Sequence, residues 1–296
     1  MYNVPATREG MPVIPDHQTN TVYLADTLWQ KHNAFASGFE HQMQQAGLAV
    51  ESITGTRDIW CRDYMPIQLA AGRFIQFKYD PPYLEGDTKW ITPAEVIQNV
   101  PPVRGCGRSD TKVEGGNVIR WSDKAILTDR VFEDNPGFNP QELATLLEVD
   151  QLIIIPQEPG DTCGHADGIL RFIDGETVLV NDYSKVDCPD LRDYGGRLLL
   201  RLQEEGLGWV LLPYAPDLES PEEPPPATGV FVNYLQTEHA IFVPQYARHP
   251  RENKAALAVM RKTFPDACVT PVECDAVAKG GGALNCITWN VKSSTR

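Results

Sequence analysis

The sequence predicts one α/β domain, and three observations carry that prediction. The chain has 296 residues, 42% hydrophobic and 22% charged, which supplies a large core and does not match a disordered composition. Strand-like and helix-like stretches are interleaved to both ends, so a single domain over residues 1–296 is expected. Polar residues at strand-type ends recur at Asp63, Glu114, His165, Asn233 and Cys286, spaced by 51, 51, 68 and 53 residues. Each interval can hold a strand–helix–strand unit, a weak sign of a repeated fold.

The elements follow in order. Residues 22–25 read as a strand, 28–45 as a helix stopped by Gly47, and 48–53 as a second strand. Residues 73–77 form another strand, followed by a proline- and aromatic-rich loop over 79–90. Residues 118–121 and 125–128 make a hairpin across Ser122-Asp123. Asn139-Pro140-Gln141-Glu142 opens a helix with a capping residue, a first-turn proline and a glutamate three positions after the cap; it runs to Leu147. A buried-type strand at 152–155 and a hairpin of 169–173 with 177–180 come next. The stretch 190–205 is helical, its pattern interrupted by Gly195 and Gly196. Strands are expected at 209–212, 230–232 and 240–243, a helix at 250–264 and a strand at 269–272. The proline run at 221–226 reads as a stiff exposed loop.

Charge narrows the function classes. Lysine and arginine number 26 against 40 acidic residues, a net charge of −14, and no basic cluster interrupts it. Phosphate backbones and anionic membrane surfaces are therefore poor partners, and no nucleic acid is expected. No apolar run approaches 18 residues, so no membrane span is expected. The seven cysteines are odd in number, widely spaced and without a CxxC pair, which points to a reducing, cytoplasmic setting.

Four segments set polar or nucleophilic residues beside glycines and strand-like runs: 56–66, 113–117, 161–168 and 279–288. Cys286 follows Gly280-Gly281-Gly282 and is the candidate nucleophile. A cysteine is most often a small buried hydrophobe, but three glycines in a row answer a geometric need. A thiol also needs a cationic or proton-accepting neighbour. His165, with Asp167 two residues on, is the natural partner, and an extended strand would place both on one face. Asp63, Glu114 and Asp167 are the candidate clamp for a guanidinium, whose planar donors match carboxylates. A metal ion competes for such groups, but HExxH, EF-hand and Cys/His-cluster patterns are missing, as is any nucleotide fingerprint. No metal and no cofactor are expected.

The ordered motifs Trp60-x-Arg62-Asp63-x-x-Pro66, Glu114-Gly115-Gly116, Gly164-His165-x-Asp167, Asn233-Tyr234 and Gly280-Gly281-Gly282-x-x-x-Cys286-Ile287-Thr288 resemble those of the agmatine deiminase family, the Porphyromonas-type peptidylarginine deiminases. The resemblance implies a pentein fold, a five-bladed α/β propeller of pseudo-fivefold αβ repeats around a central channel. It implies a cysteine-dependent hydrolase that turns a small linear guanidino compound, agmatine-like, into a ureido product and ammonia. Cys286, His165, Glu114, Asp167 and Asp63 would be catalytic. Asp63, Asp167, Glu114, Trp60, Arg62, Asn117, Gly281 and Asn285 would line the substrate.

Alternatives stay open on the sequence alone. An amidinotransferase would keep the same nucleophile and clamp, as would a deiminase of arginine or peptidyl-arginine. A catalytically silent guanidine-binding protein would not need the thiol. An arginine-like substrate would need a cation for its carboxylate, and Arg57, Lys78 and Arg108 are candidates. A small cationic guanidino substrate is the expected partner, and a homodimer is the base-rate expectation for assembly.

Overall fold

The computed structural model describes residues 2–3, 13–220 and 224–293. One unit is repeated five times. In each, a short strand runs antiparallel to a central strand, and the central strand runs parallel to a third that returns after a helix. The first module joins Thr288–Val291, Thr21–Ala25 and Ala49–Ile53, with helix Asp26–Gln45 as the crossover. The second joins Ile67–Ala70, Arg73–Lys78 and Gly107–Lys112 around Ala94–Asn99. The third joins Ile119–Trp121, Lys124–Thr128 and Gln151–Ile155 around Pro140–Leu147, and Tyr2–Asn3 pairs on its outer edge. The fourth joins Leu170–Phe172, Thr177–Asn181 and Gly208–Leu212 around Pro189–Glu204. The fifth joins Leu235–Gln236, Ala240–Gln245 and Cys268–Glu273 around Pro250–Thr263.

Most expected elements are present within a residue or two. Asn139 caps its helix by accepting from the Gln141 amide, and the Ser122 hairpin turn takes a positive φ of 48°. Two readings are corrected. Residues 230–232 are irregular, with only a bridge from Val230 to Tyr214; the strand forms later, at Leu235–Gln236. The 190–205 pattern break is no break in structure, because the helix continues through Gly195 and Gly196.

The core lies between modules as well as within them. Phe39 of the first helix meets Phe242 of the fifth module edge-on at 5.7 Å. Leu127 and Leu143 of the third module share a cluster with Ile75 and Phe77 of the second. Ile126 and Ile153 pack with Leu198 and Leu202 of the fourth, and Tyr23 and Trp289 of the first with Phe74 and Ile97 of the second. A lone unit would leave these faces in water, so neighbouring modules stabilise one another.

The short first strands carry Gln68, Arg120, Arg171, Gln236 and Asn290, all polar or charged and one from each module. Asp16, on the turn Asp16–Gln18, closes onto this set. It pairs with Arg171 and Arg120 and accepts from Asn290 Nδ2. Burial alone would raise the Asp16 carboxyl, but Arg171, Arg62 and Arg120 outweigh it and hold the group at about 2. One carboxylate thus sits among three guanidiniums and offsets part of their charge.

Candidate active site

The five landmarks each stand just before a first strand, so repetition of the module brings them together. Asp63 lies on the turn Cys61–Tyr64 ahead of Ile67–Ala70. Glu114 precedes the turn Gly115–Asn117, and His165 precedes Ala166–Gly168. Asn233 and Cys286 precede the first strands of the fifth and first modules. His165 Nδ1 is 3.6 Å from Asp63 Oδ1, and its Nε2 is 3.3 Å from Glu114 Oε2. Cys286 Sγ is 3.6 Å from Asp167 Oδ2 and 3.2 Å from Asn233 Nδ2. His165 and Asp167 share the site, but not by strand alternation: Asp167 sits in a tight helical turn that His165 only enters.

Glycines allow the close approach. A Cβ at Gly116 would stand 2.6 Å from Asp63 Oδ1 and 2.7 Å from His165 Nδ1. The Gly116 amide instead donates to Asp63 Oδ1 at 3.1 Å. In the triglycine, a Cβ at Gly282 would collide with the Trp60 ring, and Gly281, at φ +92°, lies beneath Pro224. Trp60 and Pro224 therefore border the segment that presents Cys286, while residues 221–223 of the expected proline loop lie outside the described residues.

The remaining expected residues divide. Asn285 is part of the site, because its Nδ2 donates to Asp167 Oδ2 at 2.6 Å. Asn117 is a brace: its Oδ1 accepts from Thr128 and from the Ala166 amide beside His165. Arg62, expected to line the substrate, instead donates through Nε to the Asn285 carbonyl and through its other end to Asn290. It belongs to the scaffold beneath the site. Lys78 is paired with exposed Asp80, and Arg57 donates to the Thr88 carbonyl.

Asn233 and Tyr83 are the groups absent from the expected set. Asn233 is legible as the fourth member of the landmark series; its Oδ1 also receives the Asn285 amide at 3.0 Å. Tyr83 donates its hydroxyl to Glu114 Oε2, and nothing in its local sequence marks it.

The electrostatics follow from burying three carboxylates together. Burial pushes Asp63 up to about 8, and Glu114 and Asp167 add to the rise while His165 opposes it. Burial draws His165 down, but Asp63, Glu114 and Asp167 overcome this and hold it well above the usual imidazole range. Burial, then Asp167 and Asp63, keep the Cys286 thiol well above its ordinary value. The cluster is thus short of positive charge, and its thiol is protonated. Asp63, Glu114 and His165 offer ligand atoms within 4.8 Å of one another, so this triad could hold a metal ion as well as a guanidinium.

The comparisons with known proteins show the family and the fold. The model of the family described as Porphyromonas-type peptidyl-arginine deiminase matches residues 11–291. The chain belongs to this family. The agmatine deiminase of Ectopseudomonas mendocina is 25% identical over 279 residues, covering 79% of this chain and 74% of that protein. Two solved family structures superpose with a TM-score of 0.75. The agmatine deiminase of C. jejuni is 17% identical with all of both chains covered. That of Enterococcus faecalis is 16% identical, with 99% and 100% covered. A dimethylarginine dimethylaminohydrolase from Pseudomonas aeruginosa, 13% identical over 93% of this chain and all of that one, superposes at 0.56. The family architecture is the pentein fold, and the five sheets found here match it. No helix among the described residues is long and apolar enough to cross a membrane.

Proposed function

We propose that this protein is a cysteine-dependent hydrolase that deiminates a small linear guanidino compound, agmatine-like in its cationic head. The observation that carries the proposal is the convergence of three buried carboxylates, one imidazole and one thiol. A guanidinium supplies both the positive charge this cluster lacks and the planar donors it can accept. The proposal treats the chain as one catalytic unit, since these groups come from four modules and Asn233 from the fifth.

Asp63, Asp167 and Glu114 hold the guanidinium with its central carbon against Cys286. The bound cation offsets the carboxylates that keep the thiol protonated, and Asn233 donates to the sulfur as charge develops there. The Cys286 proton passes to solvent, the sulfur forms an S–C bond, and a C–N π pair moves onto nitrogen, giving a tetrahedral adduct. Protonated His165 delivers its proton to one nitrogen, the C–N bond breaks, and ammonia leaves. The amidino-thioether that remains is attacked by water as neutral His165 takes the water proton. The C–S bond then breaks, the remaining hydroxyl proton passes to the departing sulfur and restores the thiol, and the ureido product departs. Glu114 and Asp63 flank the imidazole in both halves.

Ammonia release from a panel of agmatine, arginine, guanidino acids and an arginyl peptide tests this reading. One panel member is expected to release ammonia with the wild type, and release is expected to fall to background in Cys286→Ala. Turnover is expected to be unchanged by a chelator; loss restored by a metal ion would reassign the Asp63–Glu114–His165 triad. Turnover that requires an added amine, with no free ammonia, would replace hydrolysis by amidino transfer.

A further inference from the structure

Tyr83 is the site contact that comes from a weakly held loop. The strand Arg73–Lys78 leads into the segment through Tyr79, whose ring packs against Tyr64 at 5.9 Å. The far end is held by Trp90, beneath the Lys31 ammonium at 4.5 Å. Between them, residues 81–87 bond mainly to their own loop: Leu84 to Pro81, Glu85 to Pro82, Asp87 to Leu84, and the Trp90 indole to Asp87. Among the described residues, the one hydrogen bond from 81–87 to chain beyond the loop is that of Tyr83 to Glu114. The Tyr83 residue is 40% exposed, yet its hydroxyl reaches a carboxylate that is only 8% exposed.

The oxygen it reaches is also the one facing catalysis. Glu114 Oε2 lies 3.3 Å from His165 Nε2, but that nitrogen has no well-aligned hydrogen-bond partner. The phenol is therefore the aligned donor to Glu114 Oε2. A buried carboxylate without a donor is strongly disfavoured, so the phenol stabilises Glu114.

We propose that Tyr83 is a place-holder for the substrate guanidinium, donating to Glu114 Oε2 until guanidinium N–H groups displace it and so setting KM. The inference rests on the deiminase reading above. Displacement removes the loop's external hydrogen bond, so substrate binding loosens residues 81–87 instead of protecting them. Deleting the hydroxyl removes a competitor and leaves Glu114 short of a donor before substrate arrives, and both effects favour binding.

The test pairs kinetics with hydrogen exchange, using agmatine as first probe, or another panel guanidine where that is the one turned over. Tyr83→Phe is expected to lower KM about tenfold, the scale of a hydrogen bond to a charged group, with kcat within about twofold. Exchange in 81–87 is expected to quicken in free Tyr83→Phe, and in Cys286→Ala on saturation with the probe. A raised or unchanged KM, or protection of 81–87 on binding, overturns the place-holder role. Turnover with either of those results refutes that role alone. An absence of both turnover and binding for every guanidine refutes the deiminase reading together with it.

Discussion

At the scale of single residues, the site is governed by proton inventory. Burial and two neighbouring carboxylates push Asp63 up to about 8 against the opposing pull of His165, so its ionisation is disfavoured near neutral pH. An arriving cation reverses that balance and expels a proton. Guanidine binding to Cys286→Ala near pH 7 is therefore expected to release protons, read as a dependence of calorimetric heat on buffer ionisation enthalpy. Heat independent of the buffer would contradict the protonated resting cluster. Gly116 tests the geometry in the same way. A Cβ there would press on both Asp63 and His165, and displacement of about 1 Å lowers rates about a hundredfold. Gly116→Ala is expected to lose activity on that scale with a small change in Tm; full activity would show that the pair tolerates separation. The expected site residues that the fold brings together, Cys286, His165 and the three carboxylates, each sit beside a glycine-bearing turn or in an ordered motif. Adjacency of Arg62 to Asp63 says nothing of direction: its guanidinium turns to the Asn285 carbonyl and to Asn290. Tyr83 was invisible because its role arises from a contact with a residue 31 positions away.

At the scale of elements, the turn Asp16–Gln18 and the first strands meet in an ionic cluster. The Asp16 carboxyl is depressed to about 2 from an ordinary 3.8. A depressed carboxylate contributes stability that is present above the unfolded value and is lost as pH falls through the folded one. Its contribution is therefore full above about pH 4 and disappears by about pH 2. The shift corresponds to about 2 kcal/mol. Asp16→Asn is expected to lower stability at pH 7, by urea unfolding, and to flatten the acid limb between about pH 4 and pH 2. An unchanged acid limb would remove Asp16 as its source. The sequence placed most strands and helices because their hydrophobic periods are local. It misplaced the 230–232 strand because burial alone does not make a ladder: Phe231 and Val232 are buried in irregular backbone.

At the scale of the whole molecule, pseudo-symmetry explains how so divergent a chain keeps one site. Each module delivers its functional group at the same place, the turn before its first strand, so the landmark spacing in sequence becomes proximity in space. That spacing was legible because it belongs to the repeat. The packing between modules was not, since it depends on which faces meet. The first module is assembled from distant parts: Thr288–Val291 lies antiparallel to Thr21–Ala25. The ring closes through that pairing, and Cys286 stands two residues ahead of it. Closure brings together segments that are remote in sequence, and such contacts form slowly. In refolding from urea, helical signal is expected to return in an earlier phase and turnover in a later one, with the delay set by this strand pairing. Simultaneous recovery would mean that the ring forms in a single cooperative step. A chain folded everywhere but at this seam would carry the imidazole and the carboxylates while its thiol stood elsewhere, inert toward guanidines until the circle was complete.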